Sequence, residues 1–472
     1  MKLFNSLSRT VEEFVPRDKN DVKVYTCGPT VYHFAHIGNL RSYIVEDILV
    51  KSLRYLGYNV TRAMNITDVG HLSSDGDTGE DKMLIGAKRE RKTVLDIAKF
   101  YTEAFKKDCE KLNLDWPDIV VPATDCIDTY FEIISTLLEK GFAYKSGGNI
   151  YFDVSKLDDY YVLTNQKSDE MVIGARDDVE HDEGKRNPQD FVLWFTKSKF
   201  DNQELKWDSP WGVGYPGWHI ECSGISYKHL GEYLDIHCGG VDNKFPHHTN
   251  EIAQSESFFG HKWCNYWLHV EHLNTTEGKM SKSKGEFLTV DLLDSKGYKP
   301  EVYKLFCLQA HYRRALTFSW EGMDSARGAY EKLVKRVRQL QKDDGALQTD
   351  RINEFNNEFK KALSNDLNTS SAVTVLFDVL KSDMNDNSKI HLVRSFDKVF
   401  GLALDKVLDE EKSSNEKTLD DDLKKYIEEQ IALRLEAKKN KNYALADEIR
   451  NNLASKNIVL IDTPQGTNYE IK

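Results

Sequence analysis

The chain has 472 residues, 40% of them hydrophobic and 30% charged, and a formal net charge of −12. That is too long for one core, so roughly two to four domains are expected. The composition is that of an ordinary globular protein, and the acidic balance weighs against a nucleic-acid binder only weakly, because a large acidic chain can carry a local basic face.

No stretch is apolar for long enough to span a bilayer, and the start, MKLFNSLSRTVEEF, lacks the apolar run of a signal peptide. Seven cysteines (27, 109, 126, 222, 238, 264 and 307) are scattered and odd in number. This usage points to a reducing compartment, with thiols free for metal or chemistry. A cytoplasmic protein without a membrane partner is expected.

In chain order, VKVYTC (22–27) reads as a strand leading into a Gly-Pro turn. From Gly38, Ile44, Val45, Ile48, Leu49, Leu53 and Leu56 recur at helical spacing until Gly57, and YNVTRAMNIT reads as the next strand. Strand, helix, strand opens a parallel α/β sheet. Residues 124–210 mix a helix (TYFEIISTLLEKG), short strands (FAYKS, NIYFDV) and acidic loops, and read as an insertion. EYLDIHCGG then resumes the α/β pattern, with a helix expected from about Pro246 to Phe259. Beyond about residue 320 the pattern is helical and highly charged, and DEEKSSNEKTLDDD (409–422) reads as an acidic linker.

Three groups of residues carry chemistry. In FPHHTNE, His247 and Glu251 are four apart, on one face of a helix, and both are ordinary zinc ligands. The pair His248/Glu251 competes at three-residue spacing, and an isolated pattern of this kind more often binds nothing. A structural zinc site needs about four ligands. Cys27, Cys222 and Cys238 are candidates for the remainder, and spacing alone does not rank them. The segment HFAHIGNLRS sets His36, Gly38 and Asn39 where a helix begins. A small residue there lets a nucleotide approach the backbone, and the helix start favours phosphate. The bland alternative is a helix cap. Finally, EGKMSKSKGEF sets Lys279, Lys282 and Lys284 on a short Gly-flanked loop that could close over a triphosphate. Its bland alternative is a solvated lysine loop.

HIGN resembles the His-Ile-Gly-His signature, and KMSKS the Lys-Met-Ser-Lys-Ser signature, of class I aminoacyl-tRNA synthetases. The segments YTCGPTVYHFAHIGNLRS, YPGWHIECSG, GGVDNKFPHHTNEIAQSE, QAHYRRALTFS and NIVLIDTPQGTNY resemble the cysteinyl-tRNA synthetase family in particular, over nearly the whole chain. The resemblance implies a Rossmann-type parallel-sheet catalytic domain split by an α+β insertion, then an all-α helical bundle and a small C-terminal anticodon-binding domain. The implied divisions are 1–123 and 211–284 for the catalytic halves, 124–210 for the insertion, 285–320 for the connecting region that goes with the lysine loop, 321–408 for the bundle and 409–472 for the tail.

The resemblance also implies one zinc ion per chain on Cys27, Cys222, His247 and Glu251, leaving out His248 and Cys238. It implies ATP with Mg2+, L-cysteine and cysteine tRNA as substrates, and a monomer. His36 and Asn39 would act on the phosphates, Lys279 and Lys282 on the leaving pyrophosphate. Gly38, His237 and Asp242 would lie at the nucleotide, and Trp218 would line the amino-acid pocket. Asn39 stands where the family has histidine, so it can donate a hydrogen bond but cannot carry charge. His33 is set aside as incidental. In the tail, Lys424, Lys425, Arg434, Lys438, Lys439, Lys441 and Arg450 supply cations, and Tyr469, where the family has Trp, supplies a ring for an anticodon base. Two rivals remain: a cysteine ligase that uses an amino sugar and would not need such a tail, and a catalytically dead RNA-binding relative, whose signatures would be eroded.

Overall fold

The computed structural model describes residues 1–69, 82–164, 184–197, 205–275, 278–279, 287–342, 345–410, 421–440, 442–456, 458–463 and 466–471. The chain forms two compact units, Met1–Leu408 and Asp409–Lys472.

The first unit is organised by a five-stranded sheet of β1 (Val22–Thr26), β2 (Val60–Ile66), β3 (Ile119–Pro122), β4 (Leu234–Gly240) and β5 (Cys264–Val270). Its spatial order is β5-β4-β1-β2-β3, and every pair is parallel. From β1 the chain builds outward through β2 and β3, then returns to lay β4 on the other side of β1. That reversal opens a crevice beyond the carboxyl ends of β1 and β4, where sheets of this type bind ligands. The strands are mostly buried, four of five residues in β1 and six of seven in β4, which explains their near-continuous apolar runs.

Helix α1 (Ile37–Tyr55) links β1 to β2. It is capped by His36, whose Nδ1 accepts from the Asn39 N–H at 3.2 Å. The capping reading of this turn is therefore what the hydrogen bond shows. Helix α2 (Trp218–Leu230) precedes β4, and α3 (His247–Phe259) joins β4 to β5. Helix α3 starts after Pro246 and ends at Gly260, whose φ of +81° suits only glycine. It is buried almost all round, histidines included, so it lacks an amphipathic pattern.

The insertion holds the helix Ile127–Glu139 and a four-stranded antiparallel sheet of Ala143–Ser146, Asn149–Phe152, Phe191–Phe195 and Tyr215–Pro216. Its last strand lies beyond residue 210, so this sheet extends past the expected boundary. Four long helices (Trp320–Gln339, Thr349–Leu363, Thr369–Lys381 and Asp386–Phe400) and the shorter Pro300–Leu308 share a hydrophobic core with residues of α1. The second unit pairs the helices Asp421–Lys439 and Tyr443–Ser455 with an antiparallel hairpin, Ile458–Thr463 and Gly466–Ile471. Among the described residues no helix is long and apolar enough to cross a membrane.

Candidate active site and metal centre

The crevice holds a cavity of about 360 Å³ whose wall includes Cys27, Cys222, His247 and Trp218 together with His36, Gly38, Asn39 and Asp242. Residues about 220 positions apart meet because β1 and β4 are neighbours: Cys238 O accepts from Cys27 N–H at 3.2 Å. Gly28 has to be glycine, since a Cβ there would lie 1.6 Å from Asn65 O. Its N–H donates to Asn65 Oδ1 at 2.7 Å, fixing the turn that presents Cys27.

The ligand atoms of Cys27, Cys222, His247 and Glu251 lie within 4.8 Å of one another. His247 Nε2 is 3.5 Å from Cys222 Sγ and 3.0 Å from Glu251 Oε1. Glu251 Oε1 is buried, yet accepts no hydrogen bond among the described residues. An orphaned carboxylate oxygen, two thiols and a facing imidazole are a donor set that suits a borderline-soft cation such as zinc. Burial holds His247 neutral, with its pKa pushed down to about 3. His219, likewise held down to about 3 by burial, faces it through an Nδ1–Nδ1 contact of 2.9 Å. An unprotonated Nε2 then requires His247 Nδ1–H to donate to His219. Trp218 stacks on His247, with ring centroids 4.0 Å apart. Burial raises both thiols above their ordinary range, most strongly Cys27; coordination is what deprotonates such a group.

A second set, Cys27, His237, His248 and Glu251, converges equally closely. Position separates the two: Cys27, Cys222 and His247 line the cavity, whereas His237 and His248 do not. His237 is fully buried, with Nε2 2.8 Å from Glu251 Oε2. His248 joins Cys27 Sγ (3.2 Å) to His269 (2.8 Å), which in turn contacts Ser6 Oγ at 2.7 Å. Cys238 packs in the apolar core with Val24 and Leu268. None of His219, His269 and Asn65 was legible from ligand spacing. The double histidine alone hinted at His248.

Elsewhere on the cavity wall, Asp242 Oδ1 is 2.9 Å from His272 Nε2. His33, which spacing gave no reason to choose, also lines the cavity. Arg41 is almost fully buried and donates to the carbonyls of Glu271, His272, His311 and Arg314, tying the chain beyond β5 to α1. Lys279 ends a short strand, Gly278–Lys279, paired antiparallel to Leu273–Thr275. Lys282 and Lys284 lie outside the described residues. In the second unit, Tyr469 sits opposite Leu460 and packs against the cluster of Ile427, Ile449, Leu453, Ile458 and Leu460, so its ring is partly committed to a core. Lys438, Lys439 and Arg450 are exposed, but Arg434 is buried and is not a surface cation.

Residues 13–328 match the family of tRNA synthetases class I (C) catalytic domains. Mycobacterium tuberculosis methionyl-tRNA synthetase, in complex with methionyl-adenylate, shares the fold at a TM-score of 0.57 and 14% identity, over 83% of this chain and 93% of that one. Sheet order, cavity and family match together define a class I aminoacyl-tRNA synthetase, a ligase whose class binds ATP. The cysteine–tRNA ligase of Treponema denticola is 44% identical, over 100% of this chain and 99% of its own length. That of Clostridioides difficile is 40% identical over 100% of both chains. The chain belongs to the cysteine–tRNA ligase family.

Proposed function

We propose that the protein activates L-cysteine with ATP, releasing pyrophosphate, and transfers the cysteinyl group from the adenylate to the 3′ end of cysteine tRNA. The cysteine carboxylate attacks the α-phosphate, and the tRNA's terminal hydroxyl then displaces AMP. The observation that carries this reading is the shared cavity, which puts a thiol-affine donor set beside the N-terminus of α1.

Cys27, Cys222, His247 and Glu251 would hold one zinc ion. Zinc bound there supplies a preference for thiolate sulfur over a neutral hydroxyl, which shape alone gives poorly, by about 100-fold. Trp218 orients His247 and closes the amino-acid side. His36 and Asn39 act on the phosphates, Gly38 admits the nucleotide, and Asp242 meets the substrate from the β4 side. Asn39 contributes a neutral donor only. Lys279 and Lys282 stabilise charge on pyrophosphate, with Mg2+ accompanying the triphosphate. His237 positions Glu251.

Residues 1–123 and 211–284 serve as the catalytic halves around the 124–210 insertion, 285–320 connects them to the 321–408 bundle, and 409–472 reads the anticodon through its exposed cations and Tyr469. The protein works as a cytoplasmic monomer. The tail favours this over the amino-sugar ligase, which has no anticodon to read. Cysteine-dependent ATP–pyrophosphate exchange followed by charging of tRNA tests the reading. Exchange without charging would favour the rival ligase, and neither activity would favour the inactive relative.

A further inference from the structure

At the mouth of the cavity, the turn between the helices Lys82–Glu90 and Val94–Lys111 carries a surface that the proposed chemistry does not use. Phe34 and Phe100 leave 41% and 45% of their surface exposed. Their centroids are 6.1 Å apart, and both rings stand edge-on to Tyr101 at 5.1 and 5.0 Å. Lys92 Nζ sits 4.5 Å from the Phe100 centroid. Lys88, Arg89, Arg91 and Lys92 are all exposed; the nearby carboxylates are Glu90, 3.1 Å from Arg89 and 3.7 Å from Lys92, and the exposed Asp96. In a chain of net charge −12, this is a local cationic, aromatic face.

The face is continuous with the cavity, because Phe34 and Tyr101 also line its wall. Exposed rings interleaved with cations match unpaired nucleotides, whose bases stack while phosphates meet ammonium and guanidinium groups. We propose that this surface, resting on the tRNA-ligase reading, guides the single-stranded 3′ end of the tRNA into the cavity, with Phe100 as the stacking platform and Lys92 as a phosphate contact. Neither residue lines the cavity, so neither should act on cysteine activation.

The test uses the full-length, zinc-loaded protein with Phe100→Ala, Lys92→Ala and Phe100→Trp. Binding is measured to cysteine tRNA and to the same tRNA lacking its unpaired 3′ nucleotides, alongside charging and pyrophosphate exchange. Phe100→Ala should weaken binding of intact tRNA and raise its KM in charging by roughly 10-fold, the scale of one base stack. Exchange should be unchanged, and Phe100→Trp should bind like the wild type. With the shortened tRNA, wild type and Phe100→Ala should bind equally. The proposal is overturned if Phe100→Ala and Lys92→Ala charge intact tRNA normally, if the loss persists with shortened tRNA, or if exchange falls in parallel. A wild-type protein that activates no cysteine and charges no tRNA would overturn the ligase reading and this one with it.

Discussion

Gly28→Ala is the substitution that most directly probes how the fold positions the centre. The added methyl would lie 1.6 Å from Asn65 O, 2.7 Å from Asn65 C and 3.0 Å from Met64 Cγ. A carbon–oxygen contact normally needs about 3.3 Å, so the ends of β1 and β2 must part by roughly 1.7 Å. The obstacle is backbone, with no flexible side chain to swing aside. The same movement stretches the 2.7 Å bond from Gly28 N–H to Asn65 Oδ1 and carries Cys27 with it. Zinc–ligand distances tolerate only about ±0.2 Å, so Cys27 would leave the donor set. We expect zinc to bind at least ~10–100-fold more weakly, on the scale seen when a metal site's support is disturbed. Overpacking should also cost about 1–3 kcal/mol of stability. Competition with a chromophoric chelator gives the zinc affinity, and calorimetry gives the first thermal transition. Gly328→Ala is the control: it lies in the helix Trp320–Gln339 with nothing among the described residues within 4 Å of its added methyl. It should leave zinc unchanged and hold or slightly raise stability. If Gly28→Ala binds zinc like the wild type and melts at the same temperature, the argument that this turn sets the centre is wrong.

Three further outcomes are expected. Cys222→Ser should lose most of its zinc while Cys238→Ser keeps it, since only Cys222 faces the cavity; equal retention would move the centre elsewhere. Lys282→Ala should slow cysteine-dependent pyrophosphate exchange by about 100- to 1000-fold, the usual cost of one preorganised donor, with zinc content unaltered; an unchanged rate would remove Lys282 from the chemistry. Truncation after Leu408, at the boundary between the two compact units, should leave activation nearly intact and raise the KM for tRNA severely. Tyr469→Ala should have a smaller effect, which disappears with a tRNA of altered anticodon. Full charging by the truncated chain would make the tail an appendage.

How much of this was legible in the sequence depended on whether local pattern and local structure coincide. The first strand–helix–strand was readable because Val22–Thr26, α1 and Val60–Ile66 follow simple periodicities. The His247/Glu251 pair was readable because both sit on one helix. Spacing could not choose between His247 and His248, nor among three cysteines, because that choice is made by which side chains reach the cavity, a tertiary property. The supporting residues His219, His269 and Asn65 were invisible for the same reason: they come from a helix and two different strands and are brought together only by the tertiary fold. Tyr215–Pro216, which joins the antiparallel sheet from beyond residue 210, is a two-residue strand with no periodicity to read. Arg434 read as a surface cation because helical charge normally faces solvent, whereas here it is buried.

The central claim is that a metal held by Cys27, Cys222, His247 and Glu251 makes this synthetase select cysteine by its sulfur. The most direct measurement is ATP–pyrophosphate exchange with L-cysteine and with L-serine, on zinc-loaded and metal-stripped protein. The account predicts rapid exchange with cysteine, rejection of serine well beyond the ~100-fold that shape provides, and no hydrolysis of seryl-tRNA above background. Stripping the metal should collapse the preference, and restoring zinc should recover it. Discrimination that persists unchanged without metal, or that depends on hydrolysing a mischarged tRNA, would contradict it.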